Sequence, residues 1–156
     1  MKRIILAAIL PFAAFGLACG IGGSGQKATP TPSTHTLHGT ISVTGDEHYY
    51  RWSLGEPCSG SGGFDDMAAG TQVVINDGSG STIATGHLNE GTGANPYIDV
   101  GGTPDPEIVD TCLFSFDVEG IRDSDFYSVE VSHRGAMTYS KAEMESNGWT
   151  LALSLD

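Results

Sequence analysis

The chain has 156 residues, enough for one domain of ordinary size, and its 19 acidic and 7 basic residues give it a net charge of −12. A polyanion gains no affinity by neutralising phosphates, so this balance argues against a nucleic-acid partner. Glycine is frequent, with 22 residues, and charged residues make up only 17%, a profile typical of an extracellular, turn-rich β protein.

The first 18 residues have the organisation of a bacterial export signal. Lys2 and Arg3 form a short positive segment, and residues 4–17 are an almost unbroken apolar run. That run is shorter than the roughly 20 residues that span a bilayer and ends in small residues, so it predicts a cleavable signal peptide over residues 1–18. Removing Lys2 and Arg3 with the signal changes the net charge from −12 to −14.

The end of this segment reads GLACG at residues 16–20 and resembles the bacterial lipobox. The resemblance implies cleavage before Cys19, a diacylglycerol on the Cys19 sulfur and the lipid bilayer as a partner, although Gly16 stands where Leu is usual. The alternative is ordinary signal cleavage after Ala18 and secretion. Lipidation leaves two cysteines that can pair, whereas secretion would leave an odd thiol in an oxidising compartment.

Residues 19–34 are predicted to be the lipidated cysteine and a flexible tether. After Cys19 the sequence reads GIGGSGQKATPTPST, which has no apolar periodicity that could bury a core. Such a chain is flexible in its Gly-rich part and extended along the Thr-Pro repeats. The segment therefore positions the following domain and has no chemistry of its own.

Residues 35–156 show the period-two alternation of half-buried β-strands. The clearest run, CLFSFDVE at residues 112–119, has apolar and polar side chains on opposite parities. About seven such runs, separated by turn sequences, predict an all-β fold, an antiparallel Greek-key β-sandwich. The predicted inward-facing residues are Ile41, Val43, Trp52, Val73, Ile75, Phe114, Phe116, Val118, Tyr127, Val129, Val131, Leu151 and Leu153.

Three local motifs refine this fold. The sequence NDGSG at residues 76–80 predicts a hairpin turn, and SKAE at residues 140–143 is a capping box that predicts one short helical turn. The spacing Asp123-x-Asp125-x-Tyr127 resembles the tyrosine corner of Greek-key sandwiches. A strand that simply begins with an aromatic residue is the alternative for the third motif.

A longer stretch, residues 69–131, resembles transthyretin-like and Cna-B-like sandwich modules. The similarity rests on AGTQVVINDGSGSTIATG followed by FSFDVEGIRDSDFYSVEV. In addition, CSGSGGFDDM and FYSVEVSHRG look like segments of a group of small bacterial exported proteins. The resemblance implies a sandwich fold and an extracytoplasmic location, and it implies no activity.

Cys58 and Cys112 are predicted to form a structural disulfide. Neither belongs to a C-x-x-C pair, so a redox or zinc site is poorly supported. A disulfide requires that the two Cα atoms lie within about 7 Å of each other.

Acidic loop residues suggest a calcium site, because calcium binds oxygen ligands. An EF-hand beginning at Asp123 is excluded, since its fifth and twelfth positions are Tyr127 and Arg134. The two acidic segments are expected at opposite ends of the sandwich, so two separate solvated clusters are the favoured outcome, and no other cofactor is predicted. The candidate ligands are Asp65, Asp66, Asp123 and Asp125.

The five histidines show no H-x-H or H-E-x-x-H spacing. His133 follows Val131 on the inward parity of its strand. His38 and His48, near the first two strands, could meet across a hairpin as a weak metal pair.

Two functions agree with these features. The first is a membrane-anchored, extracytoplasmic lipoprotein whose domain is a non-catalytic binding or structural module for a protein or another envelope ligand. The second is an envelope hydrolase that uses His133 and a loop carboxylate as acid and base, and it requires a concave pocket.

Overall fold

The computed structural model describes residues 33–45, 52–98 and 104–155; at 96–98 and 104–107 only the backbone is considered. Besides the strands, this part contains a 3-10 turn at Gly62–Phe64 and helix α1 at Lys141–Ser146. No helix in it has the length and apolar character needed to cross a bilayer. The strands are β1 (Thr34–Thr44), β2 (Trp52–Ser53), β3 (Pro57–Cys58), β4 (Gln72–Asp77), β5 (Thr82–Leu88), β6 (Gly91–Ile98), β7 (Pro104–Arg122), β8 (Phe126–Val131), β9 (Ala136–Ser140) and β10 (Thr150–Leu155).

The strands follow one hydrogen-bonded path in the order β10-β1-β7-β5-β4-β8-β9, with β2 and β6 paired to β7, and β3 to β6. Strand β5 joins two layers, because it pairs with β4 along most of its length and with β7 at His87 and Leu88. The inward side chains of both layers form one hydrophobic cluster. The architecture is therefore all-β and sandwich-like, as the alternation predicts.

The predicted core is confirmed in nearly every position. All the predicted inward residues are buried except Trp52, which is half-buried and packs against the core from outside. Leu54 shares the parity of Trp52 but lies in a turn, with 48% of its surface exposed. The buried apolar residues that the prediction left out are Leu37, Met67, Leu88, Val109, Cys112, Ile121 and Met144.

The prediction that His133 continues the inward parity of β8 is wrong. Strand β8 ends at Val131, and Ser132 has a φ of 54°, a left-handed conformation that interrupts the extended chain. His133 is therefore exposed in the turn that leads to β9.

The capping box and the hairpin are both present. The Ser140 hydroxyl accepts a hydrogen bond from the Glu143 backbone N–H, and a Glu143 carboxylate oxygen accepts one from the Ser140 N–H. Helix α1 is fixed to the domain by Met144, which is fully buried. Strands β4 and β5 form the hairpin predicted around residues 76–80.

The described part has ten strands, more than the predicted seven, and two of them, β2 and β3, have only two residues each. Strand β6 has the sequence GTGANPYI, in which apolar alternation is absent. One pairing is also parallel, between β1 and β10, where Ile41 is opposite Leu153. The prediction of a fully antiparallel sandwich is therefore corrected at this edge.

Glycines allow β6 to lie close to its neighbours. A Cβ atom on Gly91 would lie 2.5 Å from the Phe114 ring, and one on Gly93 would lie 2.2 Å from the Ser53 carbonyl oxygen. Both distances are far inside van der Waals contact, so these glycines mark close strand packing instead of a turn.

Candidate functional site

Four polar residues meet at the start of β1, and we call them the N-terminal clamp: Ser33, His35, Asp123 and Lys141. The Ser33 hydroxyl donates to one Asp123 oxygen at 2.6 Å. The other Asp123 oxygen lies 2.8 Å from His35 Nε2 and 2.9 Å from Lys141 Nζ. Because Asp123 follows β7 and Lys141 begins α1, the clamp ties the first residues of β1 to two later elements.

The His35 ring of the clamp is packed against two further aromatic rings. The His35 ring stacks on Trp149 with 4.0 Å between centroids and 7° between planes. Trp149 in turn meets Tyr127 edge to face, with centroids 5.2 Å apart. Tyr127 is fully buried, and its hydroxyl accepts a hydrogen bond from the Ser124 N–H at 2.8 Å. This bond to a backbone group a few residues upstream is the arrangement of a tyrosine corner.

The clamp is held by charge as well as by packing. Hydrogen bonds from Ser33, Lys141 and His35, in that order of effect, hold the pKa of Asp123 well below its usual range. The same carboxylate raises the pKa of Lys141. Asp123 therefore remains ionised throughout the physiological pH range and offers a fixed negative charge to its partners.

The clamp contains a serine, a histidine and an aspartate, but it is not connected as a catalytic triad. In a triad, the histidine bridges the serine and the aspartate and takes the serine proton. Here Ser33 and His35 both bind Asp123 directly, one on each oxygen. The connectivity is therefore not that of a catalytic triad, and the clamp holds the start of β1 to Asp123.

A second polar contact fixes the loop between Cys58 and β4. The Arg134 guanidinium binds both oxygens of Asp66, and its Nη2 also donates to the Gly63 carbonyl at 2.5 Å. Its charge lies 4.8 Å from the centre of the Phe64 ring. Arg134 belongs to the turn after β8, which brings it over this loop.

The Asp66–Arg134 contact changes the ionisation of the carboxyl. The Arg134 guanidinium, with a smaller effect from the Ser132 hydroxyl, lowers the pKa of Asp66 from 3.8 to about 2. Beneath it, Met67 is fully buried and its carbonyl accepts a hydrogen bond from the Gly60 N–H at 2.6 Å. Met67 thus packs this loop against the hydrophobic core.

The predicted disulfide is confirmed. Cys58 and Cys112 are bonded, with 5.9 Å between their Cα atoms. The bond anchors the start of the same loop to β7, so the loop is held covalently at Cys58 and by charge at Asp66. Cys19, the predicted lipid carrier, lies outside the described residues.

The four candidate calcium ligands are not brought together. Asp66 contacts Arg134, which follows β8, whereas Asp123 and Asp125 lie before the start of β8. Asp65 is exposed in the loop, and the Asp125 carbonyl accepts a hydrogen bond from the Lys141 N–H. As the side chains stand, no three His, Cys, Asp or Glu residues within the described ranges converge on a point where they could hold a metal.

An apolar groove of about 230 Å³ lies where the edges of the two layers approach each other. Met137, beside it, has 44% of its surface exposed. Arg134, which also borders the groove, is already bound to Asp66, so the groove offers an apolar surface and no acid–base pair. The apolar residues that line it include Ile41, Val129, Val131, Met137, Leu153 and Leu155.

Two features of these sites were missed by sequence reasoning. The His35–Trp149 stack joins residues 114 positions apart in the chain, and the Asp66–Arg134 pair joins residues 68 positions apart. No local pattern reports such partners. Arg134 lies three residues beyond the end of β8, so the alternation of that strand does not indicate its partner.

The chain matches no known protein family. No curated protein and no solved structure is significantly similar to it.

Proposed function

We propose that the chain is an exported lipoprotein, anchored through Cys19 to the extracytoplasmic face of a bacterial membrane, and that its β domain is a non-catalytic binding or structural module. The observation that carries the proposal is the Cys58–Cys112 disulfide, because such bonds persist in oxidising compartments outside the cytoplasm. With those two cysteines paired, Cys19 is the remaining thiol, and it follows the predicted export signal.

The N-terminal clamp supports the anchoring role. Any force transmitted through a tether reaches the domain at Ser33 and β1, and the clamp attaches this point to Asp123 and Lys141. Strand β1 is also paired on both sides, with β7 and β10. A tether attached to a central strand pulls on two ladders of backbone hydrogen bonds, an arrangement suited to a domain displayed from a membrane.

The absence of catalysis is proposed from the placement of the candidate residues. An acid–base pair must lie within hydrogen-bonding reach of a shared substrate. His133 is exposed in a turn, and within the described ranges it makes no hydrogen bond to a carboxylate. No observation favours the alternative of a hydrolase that uses His133.

The anchor is tested by expressing the full chain in a bacterium and measuring the intact mass of the mature protein. We expect an N-terminus at Cys19 with the added mass of a diacylglycerol, and partition into the detergent phase. Cys19→Ser should lose the lipid mass, while Cys58→Ser, the matched control, should keep it. A mature wild-type chain that begins at an unmodified Cys19 would instead support secretion.

A further inference from the structure

Two histidines flank one carboxylate on the outer face of the sandwich. In the strand registers, Asp117 of β7 is opposite His38 of β1 on one side and opposite His87 of β5 on the other. Directly opposite residues of antiparallel strands point to the same face, with Cβ atoms about 5 Å apart. The three residues therefore form a row across three adjacent strands, which we call the His–Asp–His row.

The row is exposed and partly preassembled. His38 Nδ1 lies 2.5 Å from an Asp117 carboxylate oxygen, and the two side chains are 62% and 57% exposed. His87 is also exposed, while its neighbours Gly86 and Leu88 are buried. The three side chains share this face because their strand neighbours point into the core. A hydrogen bond between two such exposed groups adds little to the stability of the fold.

We propose that the His–Asp–His row binds one divalent transition-metal ion, and we take zinc as the representative ion. Imidazole nitrogens and a carboxylate oxygen are the ligands that zinc takes, with water completing the coordination. The ion takes the position between His38 Nδ1 and Asp117, and the proton of the neutral imidazole then resides on Nε2. His87 completes the set by rotating its ring towards Asp117, because with the side chains as they stand no three such residues in the described part of the chain form a metal-binding group.

Charge and ligand type both favour this class of ion. The chain carries a net charge of −12, so it attracts cations, and Glu119 lies exposed two residues along β7 on the same face as Asp117. Two imidazoles select zinc, copper or nickel over calcium, which takes oxygen ligands. The site is separate from the proposed lipid anchor and stands if the anchoring proposal fails.

The test is a titration of the full chain, purified with its disulfide intact, with zinc chloride in chelator-free buffer by isothermal titration calorimetry. We expect one saturable site. Because Asp117 is a direct ligand, Asp117→Asn should weaken binding by at least the roughly 10- to 100-fold that loss of an outer-shell partner of a metal ligand causes. His38→Gln and His87→Gln should weaken it at least as much.

The matched control is His133→Gln, which removes an exposed histidine outside the row and should bind zinc as the wild type does. His48, which the sequence analysis paired with His38, lies outside the described residues. No saturable binding, unchanged affinity in His87→Gln, or loss of binding in His133→Gln would each overturn the proposal. Circular dichroism checks that each variant is folded, which is expected because the row lies outside the core.

Discussion

The ring of Phe116 on β7 occupies the space that a side chain at Gly39 on β1 would fill. The two residues are directly opposite in register, and a Cβ on Gly39 would lie 2.0 Å from the Phe116 ring. The missing side chain lets the ring lie across the neighbouring strand, where only 1% of Phe116 remains exposed. An aromatic ring that covers a glycine restores the packing that the glycine lacks.

Replacing Phe116 with alanine tests whether the alternate residues of β7 that include Phe116 face the core. We expect Phe116→Ala to reduce the free energy of unfolding by about 3–5 kcal/mol, since the ring is lost and a cavity remains. Leu113→Ala, on the opposite parity of the same strand and 38% exposed, should cost less than about 1 kcal/mol. Urea denaturation measures both, and a loss below about 1 kcal/mol for Phe116→Ala would show that the ring is not in the core.

At the scale of elements, the loop between β3 and β4 depends on a contact with the turn after β8. Asp66 accepts two hydrogen bonds from Arg134, and Met67 next to it is buried. Arg134→Gln removes the charge and should let the Asp66 pKa rise from about 2 towards its ordinary 3.8. Carboxyl titration by NMR measures this, with Arg122→Gln as the control. An Asp66 pKa unchanged in Arg134→Gln would contradict the assignment.

The same contact sets a pH dependence. The folded-state pKa of Asp66 lies below its ordinary value, so the stabilisation it provides is complete above pH 3.8 and is lost as the pH falls through about 2. We expect protease cleavage within residues 59–70 of the wild type to increase only as the pH approaches about 2, where Asp66 becomes protonated. In Arg134→Gln it should already be increased at neutral pH.

Elements with strong apolar alternation were predictable, and the others were not. Strand β7 from Cys112 to Val118 and strand β8 were found because one face of each is buried. Strand β6 contains Gly91, Gly93 and Pro96, residues that normally indicate turns. Its strand conformation comes from pairing with β3 and β7, and pairing partners distant in the chain leave no local pattern.

At the scale of the whole molecule, the disulfide closes a loop of 54 residues between β3 and β7. On the chain-entropy model, a loop of this length stabilises the fold by about 4 kcal/mol. We therefore expect Cys58→Ser to lower the free energy of unfolding by an amount of that order, measured by urea denaturation. Cys19→Ser, which leaves both bonded cysteines in place, should leave it unchanged. Equal stability of the wild type and Cys58→Ser would mean that the bond does not form in solution.

The sequence by itself determined the sandwich-like class, the parity of the core, the capping box of α1 and the cysteine pair. Each of these depends on neighbours a few residues apart or, for the cysteines, on counting. The tertiary structure alone decided that Asp123 binds His35, that Asp66 binds Arg134 and that His38, Asp117 and His87 share a row. Those contacts depend on strand order and register, which arise when distant segments bury their apolar faces against each other.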